Sequence, residues 1–150
     1  MTGDRVLHGL WHRRPETDPL TWSIQRLAYI GDAVFELYVR MFLITASNKP
    51  SGALHGQSVR LVSAAAQAAA LESISASLSS TETDLVRRGR NAKPHSMPKH
   101  ASQSVYRLAT AFEALIGYLY LTEQDERAAE ICHTILEASE HEEADPKPET

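Results

Sequence analysis

Two carboxylates in this chain stand where an acid is a poor choice unless something binds it. Asp32 lies beside Gly31 in the middle of the most apolar stretch. Aspartate is a weak helix former, and glycine costs roughly 1 kcal/mol relative to alanine inside a helix. Glu113 lies in a second apolar run, Ala109 to Leu121, with Gly117 one turn further along the same face. A glycine lets another backbone or a ligand come close, and an acid beside it supplies the hard oxygen donors that magnesium takes. Two such pairs on two helices point to one shared metal site. Glu36, one turn beyond Asp32, either widens that site or marks a plainly polar stripe. Each acid taken singly also fits the wet edge of an amphipathic helix. A zinc site does not compete, because His95 and His100 sit in a proline-broken segment without the helical spacing of zinc ligands.

The elements that must position these residues are all helical. Asp18 followed by Pro19 reads as an N-cap with proline at the first helical position, and the spacing predicts one long helix from Leu20 to Ile44. Its apolar residues cover more than one face, so this helix is expected to be central or sandwiched between subunits. Asn48, Pro50 and Gly52 mark a loop. Leu54 to Ser77 then returns to helical spacing and is expected to form one alanine-rich helix, with a short one at Thr83 to Arg88. Gly89 to Ser102, with Pro94 and Pro98, reads as an exposed loop, Val105 to Leu121 as a strongly amphipathic helix, and Glu126 to Leu136 as the last helix. No strand-like alternation occurs. The chain of 150 residues is the size of one domain, flanked by a flexible N-terminal segment at 1–19 and an acidic disordered tail at 138–150.

The formal charge of −4 conceals a strong asymmetry. From Glu137 onward there are six acids against one base, and without that tail the chain is at +1. Between Leu85 and Arg107 there are six cations, two histidines and no acid, a local basic patch suited to an anionic partner. The single cysteine, Cys132, has no internal partner for a disulfide, and no leader with a cleavage site opens the chain; a reducing, cytoplasmic setting is expected. The apolar stretch Ala114 to Leu121 is eight residues long, far short of the ~20 that span a bilayer.

The run Leu27-Ala28-Tyr29-Ile30-Gly31-Asp32-Ala33-Val34-Phe35-Glu36-Leu37 resembles the signature helix of the ribonuclease III catalytic domain. Phe112-Glu113-Ala114-Leu115-Ile116-Gly117-Tyr118-Leu119-Tyr120-Leu121 resembles that domain's second acidic helix. Arg88-Gly89-Arg90-Asn91-Ala92-Lys93, with no appended double-stranded-RNA-binding domain, resembles the Mini-ribonuclease III branch. Two positions depart from the full-length pattern of four acids: Ala28 and Thr110 stand where that pattern has glutamate and aspartate.

The resemblance implies an all-α, ribonuclease III endonuclease-domain-like helical bundle over 20–137, a homodimer that cuts double-stranded RNA. Asp32 and Glu113 would be its catalytic residues and ligands of Mg2+, for which Mn2+ substitutes, with Glu36 a further candidate ligand. Products would carry 5′-phosphate and 3′-hydroxyl ends. Arg87, Arg88, Arg90, Asn91, Lys93 and Lys99 would hold the RNA, with Lys49, His55 and Arg60 extending the track. The substrate implied is the precursor of large-subunit (23S) ribosomal RNA, and a ribosomal protein is a further candidate partner. Dimerisation is expected across the signature helices, so that a charge at Phe35 would give monomers. The competing class is a catalytically silent ribonuclease III-like module that binds RNA or the ribosome.

Overall fold

The computed structural model describes residues 15–94 and 102–144, with backbone alone at 142–144. Six α-helices follow one another: α1 Ile24–Ala46, α2 Ser51–Leu61, α3 Ala64–Ile74, α4 Ser80–Asn91, α5 Gln103–Leu121 and α6 Asp125–Ala144, with short 3-10 turns at Pro19–Thr21 and Ser75–Ser77. No strand occurs among the described residues.

α5 is the hub. It packs most extensively on α1, and also on α3 and α4. Its buried residues Ala109, Ala111, Phe112, Ala114, Leu115, Ile116, Gly117, Tyr118 and Leu119 leave it no wet face over that stretch. α1 buries a single stripe, Ile24, Leu27, Ala28, Gly31, Phe35, Val39 and Leu43. Tyr29, Leu37, Met41 and Ile44 on α1 are exposed, so the central helix is α5, and of the two placements expected for the N-terminal helix the one between subunits remains. Phe35 is 1 % exposed and meets Phe112 edge to face, with ring centroids 4.9 Å apart. It is therefore a core residue, and the expectation that it lies on a subunit contact is corrected.

Five boundaries also differ from expectation. Asp18 does cap Pro19, accepting from the Leu20 amide at 3.0 Å, but it caps the 3-10 turn. Trp22 and Ser23 are extended, and α1 begins only where the Ser23 hydroxyl accepts from the Arg26 amide. The alanine-rich stretch is two helices, because Val62 leaves helical geometry and the Ser63 side chain caps a fresh start by accepting from Ala66. Gly52 lies inside α2, and Gly89, Arg90 and Asn91 lie inside α4, which a reciprocal Ser79/Glu82 capping box opens. At the other end α6 continues through 138–144, the first part of the segment expected as a tail. The one thiol, Cys132, is buried in the core, which pushes its pKa up to about 12 and leaves it an inert apolar filler.

A buried ion pair ties the lower bundle together. Arg127 on α6 donates to the Glu82 carboxylate at 2.9 Å and to the Ser77 carbonyl at 2.8 Å. Burial pushes the Glu82 carboxyl up, but hydrogen bonds from Arg127 and from the Ser79 backbone outweigh it, and the net pKa lies below the ordinary value of 4.5. Because folding lowers this pKa, the unfolded chain takes up the proton first. The pair's contribution is whole above about pH 4.5 and is lost as pH falls through the lower folded value. Arg127→Ala, which leaves Glu82 buried and unpaired, is expected to cost about 3 kcal/mol at pH 7. Much of that difference should vanish in urea unfolding at pH 3; equal losses at both pH values would assign the effect to packing.

Candidate active site

Asp32 and Glu113 come together where α1 crosses α5, and the crossing is made backbone to backbone. A Cβ built on Gly31 would collide with the Glu113 carbonyl oxygen and lie 2.8 Å from the Gly117 nitrogen. One built on Gly117 would collide with the Leu27 carbonyl oxygen and lie 2.9 Å from the Ile30 side chain. Only glycine permits an approach this close. Asp32 follows Gly31 directly, and Glu113 is the residue whose carbonyl Gly31 touches, so the packing contact itself sets the acids side by side.

Their electrostatics show the proximity. Glu113 is partly buried and Asp32 exposed. Burial pushes the Glu113 carboxyl up to about 7; the Asp32 charge and a hydrogen bond between the two carboxyls add to the rise, while hydrogen bonding from the Gln67 amide opposes it. A divalent cation would compensate both carboxylates at once. Among the described residues no three acid, histidine or cysteine side chains gather in one place. The donors are thus two carboxylates and no softer ligand, a set that fits magnesium or manganese, which keep waters in their shell. Glu36 does not join them: its carboxylate pairs with Arg40 at 2.7 Å. Ala28 is buried in the core, and the Thr110 hydroxyl donates to the Tyr106 carbonyl at 2.9 Å. Neither departure from the four-acid pattern is compensated by a nearby acid.

The expected RNA-binding residues separate into groups. Gly89 lets α4 rest on α5, since a Cβ there would lie 2.7 Å from the Ala111 Cα. The contact fixes the C-terminal end of α4 on α5. Arg87, Arg90, Asn91 and Lys93 are exposed on that end, Arg87 paired with Asp84 at 3.1 Å. Arg88 is occupied within the fold, where its guanidinium donates to the Leu20 and Trp22 carbonyls at 2.8 and 2.9 Å and fastens the chain before α1 to α4. Lys49 follows the far end of α1, and about 20 Å of helix separates Ala46 from Asp32. His55 and Arg60 are exposed on α2. Lys99 lies outside the described residues.

Gln67 on α3 is a site residue that the motifs do not contain, although the sequence carries a signal for it: it is the one polar residue in the run Ala64-Ala65-Ala66-Gln67-Ala68-Ala69-Ala70. Arg107, at the end of the basic patch, is a further cation that the motifs do not contain. It is partly buried, its Nε has no hydrogen-bond partner, and it lines a small cavity with Gln25, Lys93 and Thr110.

This six-helix bundle has the fold of a ribonuclease III domain, and comparison with known proteins agrees. Residues 25–124 match the family model of the Ribonuclease III domain. A crystal structure of a Fusobacterium nucleatum protein superposes with a TM-score of 0.74 at 26% identity, covering 83% of this chain and 99% of that one. Proteins named Mini-ribonuclease 3 from Symbiobacterium thermophilum and Gloeobacter violaceus are 46% and 44% identical. The matches cover 76% and 85% of this chain and 88% and 93% of those proteins. The chain belongs to the Mini-ribonuclease III family and is an endoribonuclease.

Because the crossing has no space for a side chain, Gly31→Ala should cost about 3 kcal/mol in chemical denaturation, at the upper end of overpacking penalties. The folded fraction should cleave more slowly than the parent, since the two acids are pushed apart. A parent-like denaturation midpoint would show that the helices part freely and that the glycine does not set the site.

Proposed function

We propose that the chain is a metal-dependent endoribonuclease that cuts double-stranded RNA, leaving 5′-phosphate and 3′-hydroxyl ends, and that its substrate is the precursor of large-subunit (23S) ribosomal RNA. The observation that carries this reading is the Asp32/Glu113 pair, two adjacent carboxylates whose mutual repulsion a divalent cation would relieve. Such a cation supplies Lewis-acid stabilisation of charge on the scissile phosphodiester and makes an attacking water more acidic. Asp32, which is exposed, and Glu113, which is partly buried, would hold it. Arg90, Asn91 and Lys93 are free to bind phosphates and 2′-hydroxyls, the features by which duplex RNA is read. Arg107, which lines a small cavity with Lys93, adds a further cation beside them.

A homodimer completes the reading. The free face of α1 carries Leu37 at 63% and Met41 at 50% exposure, and together with Ile30, Ala33 and Val34 these form an apolar surface that a monomer would leave wet. A twofold pairing there buries that surface and gives a duplex two sites, one for each strand. No helix of the described residues is long and apolar enough to cross a membrane.

Asp32→Asn and Glu113→Gln each remove one charged oxygen ligand without changing shape. Cleavage of duplex RNA in magnesium is expected to fall by about 100-fold or more while the thermal midpoint stays close to the parent's. Parent-like turnover in either variant would remove that acid from the mechanism, and a parent that binds duplex RNA without cutting it would favour a silent binding module. Leu37→Glu should convert a dimer into monomers in sedimentation at micromolar concentration and reduce double-strand cutting. A parent that sediments as a monomer and still makes double-strand cuts would overturn the pairing.

A further inference from the structure

Gln67 is 2% exposed and sits on α3, opposite the acid-bearing half of α5. Its Nε2 donates to the Val62 carbonyl at 3.1 Å. That carbonyl belongs to the residue that ends α2, where the last turn of a helix has lost its own donors. The same side chain lies near enough to the Glu113 carboxyl for its amide to oppose the rise in that group's pKa. Its Oε1 is buried and has no partner. Reversing the amide does not cure this, because an acceptor at Val62 requires the NH2 end to face it.

Packing alone does not account for such a residue. A buried acceptor left without a donor costs about 1–3 kcal/mol, whereas leucine fills a similar volume and has nothing to satisfy. The neighbours show what the local packing accepts, since three alanines stand on each side. Stability by itself would select an apolar side chain here. What the amide does is reach one of only two carboxylates at the crossing, and with no third acid to share a cation the orientation of each matters.

We propose that Gln67 is a positioning residue for the metal site: its amide N–H groups bridge the Val62 carbonyl and the Glu113 carboxylate, holding Glu113 so that it and Asp32 are presented together to a divalent cation. The proposal rests on the metal-dependent reading above. It also gives the break between α2 and α3 a purpose. The break exposes the Val62 carbonyl, and the restart at Ser63 places Gln67 in the first turns of α3, within reach of both that carbonyl and α5. Gln67 touches no reacting atom and acts through Glu113.

Gln67→Leu in the full chain relieves the unpartnered Oε1 but also strands the Val62 carbonyl, so the denaturation midpoint is expected to stay close to the parent's, and the metal readouts separate positioning from packing. Calorimetric affinity for Mn2+, measured without RNA, is expected to fall about tenfold. The magnesium concentration for half-maximal cleavage should rise by a similar factor, with kcat recovering toward the parent's at high magnesium and the KM for RNA unchanged. Gln67→Met, of similar length and without the donor, should behave in the same way. Parent-like Mn2+ affinity in a folded Leu or Met variant overturns the proposal. So does a loss of stability in both variants that accounts for the lost affinity, which would make Gln67 a packing residue. If the parent binds Mn2+ but cuts no RNA, the cleavage reading fails while the calorimetry still decides the role of Gln67.

Discussion

The contact on which the rest of the structure depends is the approach of α1 to α5 at Gly31 and Gly117. Two backbones touch there without side chains between them, which sets the separation of the helices and the register of one along the other. Each glycine costs its own helix roughly 1 kcal/mol in propensity. The close approach offsets that cost by burying Leu27, Phe35, Phe112 and Leu115 in one continuous cluster. Since Asp32 and Glu113 are the residues at the contact, a rearrangement of the core is also a rearrangement of the site. Stability and the geometry of the candidate site share one constraint.

The two acids with resolved pKa shifts show how surroundings assign a role to a carboxylate. Glu82 is the more fully enclosed, at 4% exposure, yet its pKa is lowered, because Arg127 and the Ser79 cap meet it with donors. Glu113 is less enclosed, yet its pKa is raised to about 7, because burial is joined by a second carboxylate in place of a cation. Glu82 is complete within the chain and serves to fasten α4 to α6. Glu113 is left short of positive charge, and so is the one able to gain from a cation supplied by solvent.

Much of this is legible in the sequence, and what escapes has identifiable causes. α5 is readable because its apolar spacing is long and unbroken, and the acid-and-glycine pairs stand out because they violate helix propensity in an otherwise apolar run. The break at Val62–Ser63 is hidden because alanine carries no periodicity that would mark a change of direction, and a serine N-cap inside an alanine-rich run looks like any small residue. Gly89 reads as the start of a loop when it is a contact with Ala111; glycine has both uses, and the choice between them is made by a helix distant in sequence. Phe35 reads as a surface residue because α1 is apolar on two faces, and periodicity does not say which face meets α5. Gln67 is visible as a lone polar residue, but its meaning depends on Glu113, 46 positions away.

The placement of Arg87, Arg88 and Arg90 on a helix bears directly on how a cut could be aimed. A loop would hold its cations loosely, whereas α4 is fixed on three sides: Gly89 rests on Ala111, Arg88 grips the Leu20 and Trp22 carbonyls, and Gln25 of α1 donates to the Lys93 carbonyl at 2.9 Å. The exposed Arg90 and Lys93 are thereby tied to the two helices that carry Asp32 and Glu113. In phosphodiester cleavage the bond that reacts is chosen by the distance between the groups that hold the backbone and the group that activates the attack, and small displacements are costly. Arg88 directs its guanidinium to the Leu20 and Trp22 carbonyls and so ties α4 to the chain that leads into α1, and the net charge of −4 says nothing about that local arrangement.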